Sequence, residues 1–407
     1  MYSKTAFFVS FNMPENKTAL LVTESSVYLD KDGLIVSRGG GEGSFHAIAK
    51  ALVSIGVKPR VFAIREFPEQ SGREEIEGVE YIRFPVKSKT SLGVLRYLRA
   101  ALKESKDCDF VFLNQFSPHL ILPFIKGNVR SIAVVHDVYK GRGFKFWLRH
   151  FGFVNSVFGF VVERLQLYFD KKYADSIMTV SKASGKKIVE ACGDVIRGKL
   201  SVNPMPSFLS VNGSYNETEE VSKKDDFLLF VGRFVGYKNS EHVLFVLKQV
   251  LKKYPHFKAI FVVPRIDKRV LKKFKRIQKK LEIPSDKVIF FEGLSSVRLY
   301  ELYRRAKVMI HPSIAEGQGV AVLESLMSGT PVVAYDLDSY DGFVENGSNA
   351  LLAKNGDVDD LCAKCLELLA NYESYSDNCV YDLDEFSFDM FTKGIAKVCG
   401  LGRMNDV

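Results

Sequence analysis

Two doubly wound α/β domains facing a central cleft are the fold this sequence predicts, and three observations predict it. Apolar runs of strand length, rich in Val, Ile and Phe, alternate with helical patterns almost throughout the 407 residues. The runs are continuous rather than alternating, as strands buried on both faces of a parallel sheet require, with the intervening helices as crossovers. The pattern breaks over 203–226, where prolines, polar residues and charges without periodicity suit an interdomain linker. We therefore expect an N-terminal Rossmann-like domain over 1–205, a linker over 206–226 and a second domain over 227–380. A C-terminal helical segment over 381–407 would then be free to pack back on the first domain.

Taken in order, the first-half strands are 19–25, 60–66, 79–85, 110–116, 131–137 and 176–182, with helices in SFHAIAKALVSIG and SLGVLRYLRAALKES. The loop SSVYLDKDGLIVSR after the first strand is long, and nothing in its pattern assigns it a role. In the second half, strands at 227–233, 259–265, 287–293, 308–313 and 331–336 alternate with helices at about 239–253, 266–281, 296–306, 319–328 and 357–371. Ligands of such sheets sit beyond the carboxyl ends of the strands, which directs the search for chemistry there.

Composition excludes several classes. An apolar share of 46% with 32 Phe is incompatible with a disordered or fibrous chain. The net charge of +9 is unevenly placed: residues 1–200 carry 30 basic and 20 acidic side chains, the remainder 27 and 28. An anionic partner is thus expected on the first half. Six scattered cysteines, including Cys362 and Cys365 in one helical CxxC, fit thiols kept reduced in a cytosol. The N-terminus MYSKTAFFVSFNMPENKT is too short in its apolar part and too polar for a secretory signal. No run reaches the ~20 apolar residues of a membrane span.

The chemistry concentrates in HPSIAEGQGVAVLESLMSGTPVVAYD (311–336). A strand ends at Pro312, a loop carries Glu316, and Gly317 and Gly319 frame the entrance of a helix containing Glu324. Glycines at a helix entrance let backbone N–H groups approach phosphate oxygens or sugar hydroxyls, and the helix dipole favours them. Two carboxylates toward one polyhydroxylated ligand would accept its hydroxyl hydrogen bonds. Spacing alone also fits a solvated helix residue and a loop charge.

Glu316 and Glu324, separated by seven residues and followed by SLMSGTPVVA, resemble the Glu-x7-Glu signature of retaining glycosyltransferases, family four (glycosyl transferases group 1) in particular. FVGRFVGYKNSEHVL (230–244), LYELYRRAKVMIHPS (299–313) and DGFVENGSNALLAKNGDVDDL (341–361) are similar to further segments of that family, as are TVSKASGKKI (179–188) and VVHD (134–137). The resemblance implies the GT-B fold, two Rossmann-like domains, and sugar transfer from a nucleotide-diphosphate donor with retention at the anomeric carbon. It implies that Arg233 and Lys238, after Gly232, hold the donor diphosphate. Glu324 would grip the ribose, Glu316 and the amides of Gly317, Gln318, Gly319 and Val320 the sugar and phosphate, and His136 the sugar. Gly40 and Gly41, in the run 39–43 before a helix expected from about Ser44, would face the cleft from the other side. Gln318 departs from the family, which usually has an aromatic residue there, and suggests a more polar sugar pocket. A nucleotide-sugar epimerase of the same architecture and a non-catalytic sugar-nucleotide or membrane-binding module are the alternatives. The first lacks a nameable acid–base set, and the intact Arg233, Lys238, Glu316 and Glu324 argue against the second.

No essential metal or cofactor is expected. The pairs Asp107/Asp109, Asp336/Asp338 and Asp382/Asp384 are in principle Mg²⁺ ligands, but none falls at the expected donor site, and Arg233 and Lys238 already supply positive charge there. The basic stretch 265–281 reads as an outer helix with an apolar stripe of Val270, Leu271, Phe274 and Ile277, without nucleic-acid-reading features.

In 141–173, Phe144, Trp147, Phe151, Val154, Phe158, Val161, Leu165 and Tyr168 recur at three- and four-residue steps, so a helix would align them. Arg142, Lys145, Arg149, Lys171 and Lys172 flank them. Aromatics with flanking cations suit a helix lying in an anionic headgroup region. The alternative is burial of the stripe within the domain. The expectation is a cytoplasmic protein, peripheral on the inner face of the cell membrane, acting on a glycan or lipid-linked acceptor.

Overall fold

The structure is a computed structural model that describes residues 17–29, 33, 35–36, 40–65, 70–86, 91–139, 143–151, 153–207, 224–266, 268–379 and 383–401. Residues 1–16 of the N-terminal segment read above for a signal, most of the linker, Gly39, Arg142 and Asp382 lie outside the described residues.

The first sheet is built from β1 (Thr18–Val22), β4 (Lys58–Arg65), β5 (Arg73–Ile76), β6 (Val79–Pro85), β7 (Phe110–Asn114), β8 (Arg130–Val135), β9 (Ser176–Thr179) and β10 (Leu200–Val202). Their spatial order is β10-β9-β8-β7-β1-β4-β6-β5. All neighbours are parallel except the β5–β6 hairpin at the edge. Helices α1 (Gly40–Ser54), α2 (Ser91–Glu104), α3 (Gly143–Phe151), α4 (Phe153–Tyr173) and α5 (Lys182–Cys192) cover this sheet. The long loop after β1 contains an antiparallel hairpin, β2 (Tyr28–Leu29) with β3 (Ile35–Val36). The buried Arg83 guanidinium fixes its base, donating to Ser26 Oγ at 3.1 Å and to Val27 O at 2.9 Å.

The second sheet is wholly parallel, in the order β13-β12-β11-β14-β15-β16. Its strands are β11 (Asp225–Val231), β12 (Lys258–Val263), β13 (Val288–Glu292), β14 (Ala306–His311), β15 (Val332–Tyr335) and β16 (Ala350–Ala353). Its helices are α6 (His242–Lys253), α7 (Lys268–Lys280), α8 (Ser296–Arg305), α9 (Val320–Met327), α10 (Val358–Ala370) and α11 (Tyr372–Ser376). The last helix, α12 (Phe388–Cys399), packs in the core of the first domain beside α1, through Phe391, Ile395, Ala396, Val398 and Cys399. Asn203, just after β10, donates to the Phe391 carbonyl at 3.2 Å. Strand order reverses beside β1 in one sheet and beside β11 in the other, so both switch points open where their carboxyl ends meet.

Three sequence readings need correction. Helix α1 begins at Gly40, so Gly40 and Gly41 form its first turn rather than a loop before it. The stripe over 141–173 is carried by two helices that pack on each other, not one. Trp147 is buried and Phe144 lies edge-on to Phe160 at 5.2 Å, while Phe158, Val161, Leu165 and Tyr168 remain at the surface. The side chains of Phe151 and Val154 lie outside the described set. The strands β2, β3, β5, β10 and β16 were not read at all; they are two to four residues long.

The Cys362 and Cys365 thiols are buried on the inner side of α10, and burial pushes Cys362 up to about 11, so it is protonated near neutrality. In α7, Phe274 is buried and Val270 and Ile277 pack beside it on the second core, leaving its basic face in solvent. No helix among the described residues is long and apolar enough to cross a membrane.

Candidate active site

The carboxyl ends of β11 and β14 bring together residues from two distant segments. Gly232 turns the chain after β11 at φ 154°, a backbone region that favours glycine. A short turn, Gly236–Lys238, follows and ends at Asn239, which is left-handed (φ 41°) and donates from Nδ2 to the Pro312 carbonyl at 3.2 Å. The Ile314 amide donates to Tyr237 O at 2.9 Å. These bonds hold the Arg233–Lys238 loop against the loop that carries Glu316.

There Lys238 Nζ donates to Glu316 Oε1, and His311 Nε2 lies 2.9 Å from the same oxygen. Burial acts to raise the Glu316 pKa, but the Lys238 ammonium and the His311 hydrogen bond hold it well below the usual carboxylate range. His311 is fully buried, and burial lowers its pKa, so a neutral ring donates Nε2–H to the carboxylate. Arg233 is exposed to solvent and donates from Nη2 to Tyr237 Oη at 3.3 Å. The arrangement presents one ammonium and one guanidinium beside an ionised carboxylate. That suits an incoming diphosphate, which can draw Lys238 away from Glu316.

From the other domain, His136 follows β8. Asn114 donates from Nδ2 to Thr23 Oγ1 at 2.8 Å, which leaves Oδ1 as the acceptor facing His136 Nε2 at 3.0 Å. Nε2 therefore carries the proton and Nδ1 the lone pair. Burial, and secondarily the His119 charge, lower the His136 pKa to about 4, so the ring is neutral near pH 7. Gln115 Oε1 accepts from the His136 amide at 3.0 Å. Asp137 pairs with Lys187 at 2.8 Å rather than with the histidine beside it. Gly41 in the first turn of α1 faces Asn114: a Cβ there would lie 3.7 Å from Nδ2.

The two halves meet at Gly317. Its carbonyl accepts from Ser181 Oγ at 2.5 Å and lies 3.1 Å from Ser184 Oγ, both at the N-terminus of α5. Its α-carbon lies against the His136 carbonyl, where any Cβ would fall far inside van der Waals contact. The neighbouring Gln318 is buried; its Oε1 accepts from Met205 N at 2.7 Å and its Nε2 donates to Met205 O at 2.9 Å. This corrects the expectation of a more polar sugar pocket, because the Gln318 amide is committed to the chain leaving the first domain. Gly319 is the left-handed N-cap of α9 (φ 83°), with Tyr340 packed where a side chain would go. The Val322 amide donates to Gly319 O at 2.8 Å, and the amides ahead of it, beginning at Val320, precede the helix's own hydrogen-bond ladder.

Arg233, Lys238, Glu316, Gly317 and His136 thus converge on one cleft. Glu324 stands apart from Glu316, buried in α9, and accepts from Tyr303 Oη at 3.1 Å. Asp109 is accounted for structurally, accepting from Thr18 N at 2.9 Å and pairing with Lys17 at 3.3 Å. Sequence reasoning missed His311, Tyr237, Tyr139, Asn114, Gln115 and the Ser181–Ser184 pair. Polar residues at the ends of apolar strands, as in FVFLNQ and VMIHP, were the available signal. The Gly317 contact yields a prediction. Gly317→Ala should force the seam open and lower Tm by several degrees, on the scale of about 1–3 kcal/mol for an overpacked site. An unchanged melting curve would show that the seam is not a closed contact in solution.

Two family models match the chain: Glycosyltransferase Family 4 over residues 38–205 and Glycosyl transferases group 1 over residues 214–380. The O-antigen chain mannosyltransferase RfbU of Salmonella typhimurium is 26% identical over 232 residues, 56% of this chain and 58% of its own. The lipopolysaccharide glucosyltransferase WaaG of Escherichia coli is 25% identical over 195 residues, 44% and 50% respectively. These alignments span about half the length of the curated relatives. Among solved structures, that of WaaG superposes with a TM-score of 0.72 at 17% identity, covering 94% of this chain and 100% of the other. That of Anabaena HepE in complex with UDP and glucose gives 0.70 at 17% identity, covering 95% and 100%. With both halves matched and the whole architecture shared, the chain belongs to the GT-B glycosyltransferases, with a family 4 N-terminal domain and a group 1 C-terminal domain.

Proposed function

We propose that this protein transfers a sugar from a nucleotide-diphosphate donor to a glycan or lipid-linked acceptor, with retention of anomeric configuration. The observation that carries the reading is the cluster of Arg233, Lys238 and Glu316, held against His136 through Gly317. As the bond from the anomeric carbon to the diphosphate breaks, negative charge grows on the leaving oxygens. The Arg233 guanidinium and the Lys238 ammonium stabilise it, aided by the first-turn amides of α9. The acceptor oxygen bonds to the same face of the sugar, and its proton passes to a leaving phosphate oxygen. Neutral His136 is a hydrogen-bond partner for the sugar, and Glu324 for the ribose. HepE was solved with UDP and glucose, and RfbU and WaaG are named for an O-antigen chain and for lipopolysaccharide. By analogy a nucleoside-diphosphate hexose and a glycan or glycolipid are the substrate classes here.

Release of nucleoside diphosphate from a panel of nucleotide sugars tests the reading. Arg233→Ala and Lys238→Ala should each lower turnover by about 100-fold or more, the scale for losing a donor to transition-state charge. Near-wild-type turnover in both variants rejects this donor site. Because the two cations already supply the countercharge, we also propose that no metal is needed. Activity should then persist in EDTA; complete loss, restored by Mn²⁺ or Mg²⁺, would overturn this.

The first domain is proposed to rest on an anionic membrane surface. Phe158 and Tyr168 on α4 are 58% and 53% exposed, Val161 and Leu165 are also exposed, and Lys145, Arg149, Arg164, Lys171 and Lys172 surround them in solvent. Basic residues near an anionic surface contribute on the order of 1 kcal/mol each. Wild-type protein should sediment with phosphatidylglycerol vesicles, less so in high salt, and a folded Phe158→Ser/Leu165→Ser variant should stay in the supernatant. A wild type that ignores the vesicles removes the membrane reading.

A further inference from the structure

Helix α4 is inverted relative to an ordinary surface helix. Glu163, Gln166 and Asp170, spaced three and four residues apart on one face, are each 1% exposed, whereas Phe158, Val161, Leu165 and Tyr168 face solvent. Each buried polar side chain holds a loop at the end of a first-domain strand. Glu163 Oε1 accepts from the Tyr139 amide at 2.6 Å, in the segment that carries His136. Gln166 Oε1 accepts from the Phe116 amide at 2.8 Å, directly after Asn114 and Gln115. Asp170 Oδ1 lies 2.6 Å from His119 Nδ1, and His119 Nε2 lies 2.8 Å from Leu113 O.

Phe116 has φ 78° and ψ −125°, a backbone conformation that is strained for a residue with a side chain. Trp147, the only tryptophan, packs where a side chain at Gly159 of α4 would go. Its ring lies 5.6 Å from Tyr139 and 6.5 Å from Phe116, edge-on to each. Tyr139 in turn lies 6.3 Å from Tyr237, whose hydroxyl accepts from Arg233. Contacts therefore run from the Gly159 side of α4 through Trp147, Tyr139 and Tyr237 to Arg233, a cation of the proposed diphosphate site.

We infer that α4 couples the bilayer surface to the nucleotide cleft, with Glu163 and Gln166 as positioning residues. This rests on the membrane-surface and donor readings above. Seating the outer face of α4 on anionic lipid holds the helix in place. The Tyr139 and Phe116 loops are then held in the arrangement that a bound nucleotide also selects. By linkage, each ligand must raise affinity for the other by the same factor.

The test uses the full chain, UDP, GDP and ADP as probe nucleotides, and phosphatidylglycerol–phosphatidylcholine vesicles. For whichever nucleotide binds, Kd is measured by calorimetry with and without vesicles, and vesicle partitioning with and without saturating nucleotide. Both should shift by a common factor of about five or more. Trp147 fluorescence should respond to either ligand. Gln166→Leu should still partition onto vesicles but bring the factor close to one, while Glu163→Gln, which keeps an acceptor for the Tyr139 amide, should retain it. Should Gln166→Leu fail to fold, Val161→Ser/Leu165→Ser serves: it should lose vesicle binding and keep the vesicle-free nucleotide Kd. Vesicle binding with an unchanged nucleotide Kd overturns the coupling alone. Absence of vesicle binding overturns the membrane reading, and absence of binding by all three nucleotides overturns the donor reading; either one takes the coupling with it.

Discussion

The carbonyl of Gly317 is the constraint on which the site depends. Two sheets, each with its own core, approach where Ser181 and Ser184 converge on that oxygen, and the Gln318 side chain closes a second pair of hydrogen bonds on the Met205 backbone. Neutral hydrogen bonds contribute only about 1 kcal/mol each, so their effect here is geometric more than energetic. They fix the loop carrying Glu316 at the distance that places it against His136. A side chain at 317 is sterically excluded, and the φ of 83° at 319 likewise requires glycine. The two glycines thus answer to close approach and to helix entry, rather than to loop flexibility.

The charges follow from that closure. Glu316 is largely screened from water, and an unpaired buried carboxylate would be strongly disfavoured. Lys238 and His311 supply the compensation, so the cleft contains an ionised carboxylate already neutralised by a cation. An anionic ligand at the proposed site would exchange one partner of Lys238 for another, instead of desolvating a free ammonium. Arg233 remains at the solvent-facing side, where its charge can meet a ligand before the inner pair rearranges. His136 differs in kind. Its half-buried, neutral ring, oriented by Asn114, suits hydrogen bonding to hydroxyls and not charge compensation.

Much of this was legible in the sequence because buried parallel strands are written as continuous apolar runs. FLLFV, AIFVV and VIFFE lie where β11, β12 and β13 form, each within a few residues. Short strands escaped because a run such as ALLA between turn residues carries no period, and the polar REEI is stabilised by its pairing with β6 rather than by its own composition. Gly40 and Gly41 misled because glycine has low helix propensity, yet tertiary contact with the strand ends overrides it. Within the site, Arg233, Lys238 and Glu316 were found through motif resemblance. The contact between Gln318 and Met205, 113 residues apart, was not encoded in any local pattern. A departure from the family at position 318 was visible, but its physical meaning required the partner backbone.

The inversion of α4 shows why an apolar stripe does not by itself say which way a helix faces. A stripe at three- and four-residue spacing ordinarily marks the buried side, because burial of apolar area is the main driving term for packing. Here the loops ending β7 and β8 present the Phe116 and Tyr139 amides toward α4, and donors covered without acceptors are strongly disfavoured. Glu163 and Gln166 supply those acceptors, so the polar face of the helix is the one that must turn inward. Trp147 and Leu167 fill the remaining apolar space beneath it. What is left for solvent is Phe158, Val161, Leu165 and Tyr168, an exposed face that the strand-end loops impose on the helix.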